Sequence, residues 1–427
     1  MSESKMRLVV LNPHTNQCGK MVFNWIFHYP QHNKYTYLWE TGLKENKDIA
    51  FLVDGTQSSF YQTPIFSKTI GRIPQLMKAF VNIEFWIWKK LNPLSKKCRV
   101  YKNINDLNQH KDVIFAFGFT SSNSEIRNYQ GLTLIHLSHY HLNTEKIADL
   151  LETLKNGVIV SEGEMINNPY FLHYFPNFKN KTYLLPFTFY PGRFKNIVPF
   201  KQRINKCFAS GPMSIPSDPS YVSFFGKSVA LNPMREIMYL NKEDIKNYIA
   251  SYIYPHDFAV KGMKQILPND DLLTRFAKKY LPSWILTSIL HYKLPYFSFD
   301  IVQKYNEYTM FSSPEERTGL PSMKLLEGIL CGSVLVGIDD PMYLKIGFID
   351  GVNYIAYKDQ DLEDLKKKID YYQSHLEDLE KIALNGFNFV SENFTPEKVF
   401  NIFWSDMESL LQSYNSGNLI LTCSFVK

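Results

Sequence analysis

The sequence predicts an α/β protein with two parallel-sheet domains, and three observations carry that expectation. Short apolar runs of the kind that form strands buried on both faces recur along the chain. Stretches with helical periodicity separate several of them. The pattern is lost once, around Phe187 to Arg203, where two prolines, one glycine and four basic residues fall together, and this marks a boundary between domains. A chain of 427 residues has material for about two to three domains of ordinary size.

Taken in order, Arg7–Leu11 (RLVVL) before Asn-Pro reads as the first strand of a buried sheet, and Ile49–Val53, Val113–Phe117, Leu132–Leu137 and Gly157–Val160 read as further strands. Between two of them, Thr144–Asn156 places Ile147, Leu150, Leu151 and Leu154 on one helical face. Strand, helix and strand joined by short connections imply a parallel sheet. A first domain over residues 1–195 and a second over 200–395 follow, with a C-terminal helix and tail over 396–427. The second set opens with Lys206–Ser210 before Gly211. A helix is expected over Lys242–Tyr254, a strand over Tyr308–Ser312, a helix from Ser322 and a strand over Ser333–Ile338. Helices close the chain at Asp361–Gln373, Leu376–Asn393 and Thr395–Ser413.

Composition excludes several classes. The net charge is 47 − 41 = +6, modest for this length, and no dense basic stripe points to nucleic acid. Cys18, Cys98, Cys207, Cys331 and Cys423 are scattered without a CxxC pair or a histidine at ligand spacing, which argues against zinc and against a disulfide framework and fits a reducing cytosol. The N-terminal apolar run is too short for a signal peptide, and no stretch of about 18 apolar residues occurs. A protein that neither spans a membrane nor leaves by the usual export route is expected.

One segment carries more chemistry than the rest. In SPEERTGLPSMKLLEGILCGSVLVG, ending at Gly337, a strand gives way to a Gly-containing loop and then to a helix. A helix start preceded by small residues offers N–H groups to a diphosphate, so Gly319–Ser322 suits that ligand, and Glu327 lies near enough to accept from ribose hydroxyls. By itself such a loop is more often structural. The agreement continues downstream, however, in Gly347–Tyr357 (GFIDGVNYIAY) and in the paired helices of Asp361–Asn393.

Together these motifs resemble the donor-nucleotide site of GT-B fold glycosyltransferases of the group 1 type. The family's pattern is an acidic residue, a Gly-Leu-Pro-like loop, Leu-Leu-Glu, then Cys/Ala-Gly and an apolar strand. The resemblance implies two Rossmann-like domains facing across a cleft, with the C-terminal helix returning to the N-terminal domain. It implies a nucleotide-sugar donor held by the second domain through Gly319, Leu320, Ser322, Lys324 and Glu327, and an acceptor held by the first. Gly211, Lys227 and Arg235 stand where the family places cations over the diphosphate. Retaining members often carry a second Glu eight positions before the Glu that matches Glu327. Gly319 stands there in this chain, and Glu315 and Glu316 are the upstream acids that take its place as catalytic candidates.

In the first domain, His136, His139 and His141 (IHLSHYHL) follow a strand, where an α/β sheet presents its carboxyl-end loops to a ligand. His139 is the candidate base there, with His14 as the alternative. Asp359-Gln360-Asp361 has the form of a DxD metal motif, but its place before a helix reads as an N-cap. No metal and no cofactor are expected, the nucleotide-sugar being a substrate. Arg72–Lys97 and Arg275–Lys293 mix Trp, Phe and Ile with Lys and Arg, which suits either an anionic membrane interface or core helices with snorkelling lysines. The reading is thus a cytoplasmic, peripherally attached enzyme moving a sugar to a hydroxyl of a glycan or lipid-linked acceptor in surface polysaccharide synthesis. A nucleotide-sugar 2-epimerase and an inactive binding protein on the same scaffold are the alternatives.

Overall fold

The computed structural model describes residues 5–15, 35–58, 70–118, 124–137, 140–142, 144–163, 165, 167–189, 192–213, 221–224, 226–255, 270–281, 299–313, 316–319, 321–322 and 324–425. They form two units, Met1–Pro186 with Pro396–Val426, and Phe187–Thr395.

The first unit runs β1 (Arg7–Leu11), α1 (Thr36–Lys44), β2 (Ile49–Leu52), α2 (Pro74–Leu91), β3 (Arg99–Tyr101), β4 (Asp112–Phe117), β5 (Thr133–His136), α3 (Thr144–Thr153), β6 (Gly157–Ser161), α4 (Pro169–Tyr174) and β7 (Lys181–Leu184). Its sheet has the order β3-β2-β1-β4-β5-β6-β7 and is parallel throughout. The order reverses beside β1, which pairs Leu8 with Ile49 on one side and with Val113 on the other. Every residue of β1 is buried, as expected of a strand covered by helices on both faces.

The second unit runs β8 (Ile204–Met213), the antiparallel hairpin β9 (Tyr221–Phe224) and β10 (Lys227–Ala230), α5 (Pro233–Leu240), β11 (Ile249–Pro255), α6 (Leu272–Tyr280), α7 (Ile301–Glu307), β12 (Tyr308–Ser312), α8 (Lys324–Leu330), β13 (Val334–Ile338), α9 (Pro341–Lys345), β14 (Ile355–Tyr357), α10 (Leu362–Ser374) and α11 (Leu376–Asn393). Its parallel sheet has the order β11-β8-β12-β13-β14, reversing between β8 and β12. Both sheets therefore have the doubly wound topology of Rossmann-like folds.

The last helix, α12 (Pro396–Asn415), belongs to the first unit. Val399, Phe400, Phe403, Trp404, Met407, Leu410 and Leu411 enter the same core as Leu8, Phe51 and Phe115. A polar tie completes the seam: Tyr183 donates to Asp406 at 2.8 Å, and Asp406 also accepts from the Ser424 backbone N–H and hydroxyl. The expected return of the C-terminal helix is observed.

One expectation needs correction. The helix over Lys242–Tyr254 is instead a turn followed by strand β11, which pairs Ile249 with Cys207 through to Pro255 with Met213. The polar stretch Lys242–Asn247 has helical composition, but Ile249–Tyr254 is β-branched and aromatic, and edge pairing with β8 decides its state. Within Gly347–Tyr357 only Ile355–Tyr357 is a strand. The preceding residues fold as a turn held by Asn353, which accepts from Ile349 N–H and donates to Gly347 O. The basic boundary segment has a structural member as well. Arg203 donates to Cys331 O and Asn196 Oδ1 at 2.7 Å each and to Tyr305 O at 3.2 Å, and burial lowers its pKa to about 10.

Candidate active site

In a doubly wound sheet the loops part at the carboxyl ends of the strands where the order reverses, leaving a crevice suited to ligands. In the second unit this point lies between β8 and β12. The β8 end supplies Ser210, Gly211 and Pro212, and β12 ends at Ser312, followed by Ser313. Gly211 has φ +132, and a Cβ there would lie 3.2 Å from Arg235 Cζ. Only glycine leaves that space to the guanidinium.

Arg235 comes from the first turn of α5, which Pro233 opens at a position where the missing N–H costs nothing. The side chain is 9% exposed and donates through Nη1 to Pro212 O and Asn232 Oδ1, both at 3.3 Å. Lys324 reaches the same strand end from the start of α8, its Nζ donating to Ser210 O at 3.3 Å. Two cations from separate helices thus converge on three consecutive residues of β8. Burial, reinforced by the charge of Arg235 and opposed by Glu327, lowers the Lys324 pKa to about 7. Glu327, one turn along α8, is raised by burial while Lys324 and Arg193 hold it down.

The loop between β12 and α8 is tied to the β9–β10 hairpin by Arg317, whose N–H donates to Leu231 O and whose Nε donates to Ala230 O, both at 2.8 Å. Gly319 turns with φ +74, its N–H donating to Glu316 O at 2.9 Å. The Glu316 carboxylate accepts from Thr318 Oγ1 at 3.2 Å, so it is engaged within its own loop. Ser322 Oγ accepts from Lys324 N–H at 3.3 Å, and the helix begins two residues later than expected. Lys227 is exposed at the start of β10. Glu315 and Leu320 lie outside the described residues. The structure therefore brings together Gly211, Arg235, Lys324 and Glu327, with Gly319 and Ser322 on the adjoining loop.

Ser210, Asn232, Ser312 and Ser313 carry no functional mark in the sequence, because nothing in a run of small polar residues marks a strand end until the strand order is known. The hydroxyls of Ser312 and Ser313 are buried and have no hydrogen-bond partner among the described residues. Arg317 was equally silent. Asp361 accepts from Asp364 N–H at 2.9 Å and caps α10, the role assigned to the DxD-like stretch.

In the first unit His139 lies outside the described residues. His136, at the carboxyl end of β5, is 1% exposed, with Tyr35 Oη at 2.9 Å and Glu162 Oε2 at 3.1 Å from its Nε2. Glu162, at the end of β6, had no sequence signal. His14 is fully buried after β1, its Nε2 3.1 Å from Gln57 O, and burial lowers its pKa to about 4, so it is neutral at pH 7. His141 lies in a short helical turn next to Tyr140. A groove of about 590 Å³ runs between α3 and the segment after α4. It opens at Gly157 and Lys181, the amino ends of β6 and β7, away from the carboxyl-end crevice.

Residues 293–403 match the family model described as Glycosyl transferase-like, which bears out the resemblance for that stretch. No curated protein matches the chain. Among solved structures, it is similar to Anabaena Alr3699/HepE in complex with UDP and glucose, at 12% identity over 95% of this chain and 100% of that one with a TM-score of 0.45. It is also similar to sucrose-phosphate synthase (tll1590) from Thermosynechococcus elongatus, at 11% identity over 97% and 100% with a TM-score of 0.47. A glycosyltransferase from Rickettsia africae aligns at 12% identity over 95% and 97% with a TM-score of 0.41.

Proposed function

We propose that this protein transfers a glycosyl group from a nucleotide-sugar donor to a hydroxyl of a glycan or lipid-linked acceptor, working at the cytoplasmic membrane face in surface polysaccharide synthesis. The observation that carries the reading is the convergence of Arg235 and Lys324 on Ser210–Pro212 at the point where the second sheet reverses, inside the unit that holds all but the last few of residues 293–403, which match a glycosyltransferase-like family. Two cations with little water around them suit a diphosphate, the common element of nucleotide-sugar donors. As the glycosidic bond breaks, negative charge grows on the leaving diphosphate, and fixed cations lower the barrier by meeting charge where it develops.

In this reading Arg235 and Lys324 hold the diphosphate, with Lys227 at the rim. Gly211 lets the ligand and the guanidinium approach the strand end, and the Gly319–Ser322 loop lies beside them before the start of α8. Glu327 accepts from the ribose hydroxyls. Glu315 and Glu316 stand upstream of the loop, and His139 is the acceptor-side candidate in the first unit. A panel of nucleotide-sugars assayed with and without glycan acceptors tests the proposal, since turnover without any acceptor would mark an epimerase or hydrolase instead. Glu327→Ala should weaken donor binding about ten- to a hundredfold, the usual cost of a lost hydrogen bond to a charged group. Arg235→Ala should weaken nucleoside diphosphate while leaving the nucleoside nearly unchanged; equal losses would point to a folding defect.

A further inference from the structure

Helix α2 is apolar on two sides, and folding accounts for only one of them. Met77, Val81, Phe85 and Trp88 pack into the first unit's core, at 0–5% exposure. Ile73 is the N-cap residue of the helix, and at 3.6 residues per turn Leu76, Ile83 and Trp86 fall on its far side. In that order the four are 47%, 50%, 59% and 61% exposed. A surface helix ordinarily presents charge there.

The charge around this stripe has one sign. Between Ile70 and Asn103 the chain carries eight lysines and arginines and a single carboxylate, Glu84, which is turned inward at 3% exposure. Lys90 lies within the stripe with its Nζ 5.7 Å from the Trp86 ring centre, and Lys96, Lys97 and Arg99 continue the basic surface beyond the helix end. On the other flank Lys78, Lys89 and Lys102 stand close enough for the first two to depress the pKa of the third, which burial lowers first.

We propose that the Leu76–Ile83–Trp86 face of α2 docks on an anionic lipid surface, the apolar stripe entering the headgroup boundary while the lysines around it meet lipid phosphates. Charge complementarity selects this occupant. A second copy of the chain would bring the same basic residues against one another, and like charges across an interface oppose pairing. Trp86 with Lys90 beside it is suited to the interfacial layer, where an aromatic body lies against acyl chains and a cation stays in water. No described helix is long and apolar enough to cross a membrane, so α2 would lie in the surface plane. The inference rests on the membrane-face part of the proposed function and not on the donor site, and it is read without any turnover assay, so donor use and lipid docking can fail separately.

Flotation of the full-length protein with phosphatidylcholine vesicles, with and without phosphatidylglycerol, tests it. Binding should require the anionic lipid, weaken with salt, and drop at least about tenfold in Ile83→Ser/Trp86→Ser. Because both side chains are exposed, the variant should keep the parent's circular dichroism and melting profile. Lys96→Glu/Lys97→Glu should produce a comparable loss through charge alone. An absence of binding to anionic vesicles at low salt overturns the proposal, and so does binding that Ile83→Ser/Trp86→Ser leaves unchanged. Loss of a concentration-dependent dimer in that variant, with no change in lipid binding, would assign the face to a second copy instead.

Discussion

A lysine near neutrality beside an arginine is costly to keep unless an anion repays it. Lys324 has an ordinary pKa of 10.5, and burial first, then Arg235, brings it to about 7, with Glu327 pulling the other way. A bound diphosphate adds negative charge at Nζ and must raise that pKa, so binding should take up a proton. The sign follows from linkage: affinity is at its full value below about pH 7, where the free lysine is already protonated, and falls as pH rises through the higher pKa of the complex. Titration calorimetry of a nucleoside diphosphate at pH 8 in buffers of different ionisation enthalpy should report uptake approaching one proton, and Lys324→Met should abolish it. Equal uptake in parent and variant would place the diphosphate elsewhere. At this scale the sequence showed Arg235, Lys324 and Glu327 through their motif and helix positions. It did not show Ser312 or Ser313, or the Tyr35–His136–Glu162 contact, whose members lie far apart in the chain and meet only once strands β5 and β6 lie side by side.

At the level of elements, the candidate site depends on how β8 ends. Gly211 has φ +132 and leaves 3.2 Å between a hypothetical Cβ and Arg235 Cζ, so Gly211→Ala should strain the strand end and displace the guanidinium together. A residue forced into such backbone costs of order 1–3 kcal/mol, and the variant should unfold at correspondingly lower denaturant. Its affinity for nucleoside diphosphate should fall more than for the bare nucleoside, because the damage falls on the cation. A purely global defect would lower both equally, which paired titrations distinguish. The buried strands were legible as apolar runs, since β1, β4 and β13 need no partner to declare themselves. Strand β11 was not, because its half-exposed pattern, with Ile249 and Ile253 inward and Tyr252 outward, follows a polar turn that carries helix-forming residues. There the sheet edge overrode local preference.

Across the whole molecule, the chain leaves the first unit at Pro186 and returns to it at Pro396. The first unit's core is therefore closed by a helix that follows the whole of the second unit in the chain. Seven α12 side chains, Val399 through Leu411, are each no more than 3% exposed within that core. Burying each contributes roughly 1.5–3 kcal/mol, a sum of about 10–20 kcal/mol that matches or exceeds the net stability of about 5–15 kcal/mol typical of a domain. Truncation after Thr395 should consequently leave the first unit unfolded while the second, with its separate core around Cys207, Met310 and Val336, persists. Limited proteolysis followed by mass spectrometry should then return a protected fragment beginning near Phe187 and rapid loss of everything before it. A gentler form of the experiment guards against aggregation of the truncated chain. Phe403→Ala, which empties a site against Phe115 and Tyr183, should cost about 3–5 kcal/mol and lower the melting transition of the first unit alone. If both units were to lose stability together, the core closed by α12 would have to be shared between them, and the two-unit division would be wrong.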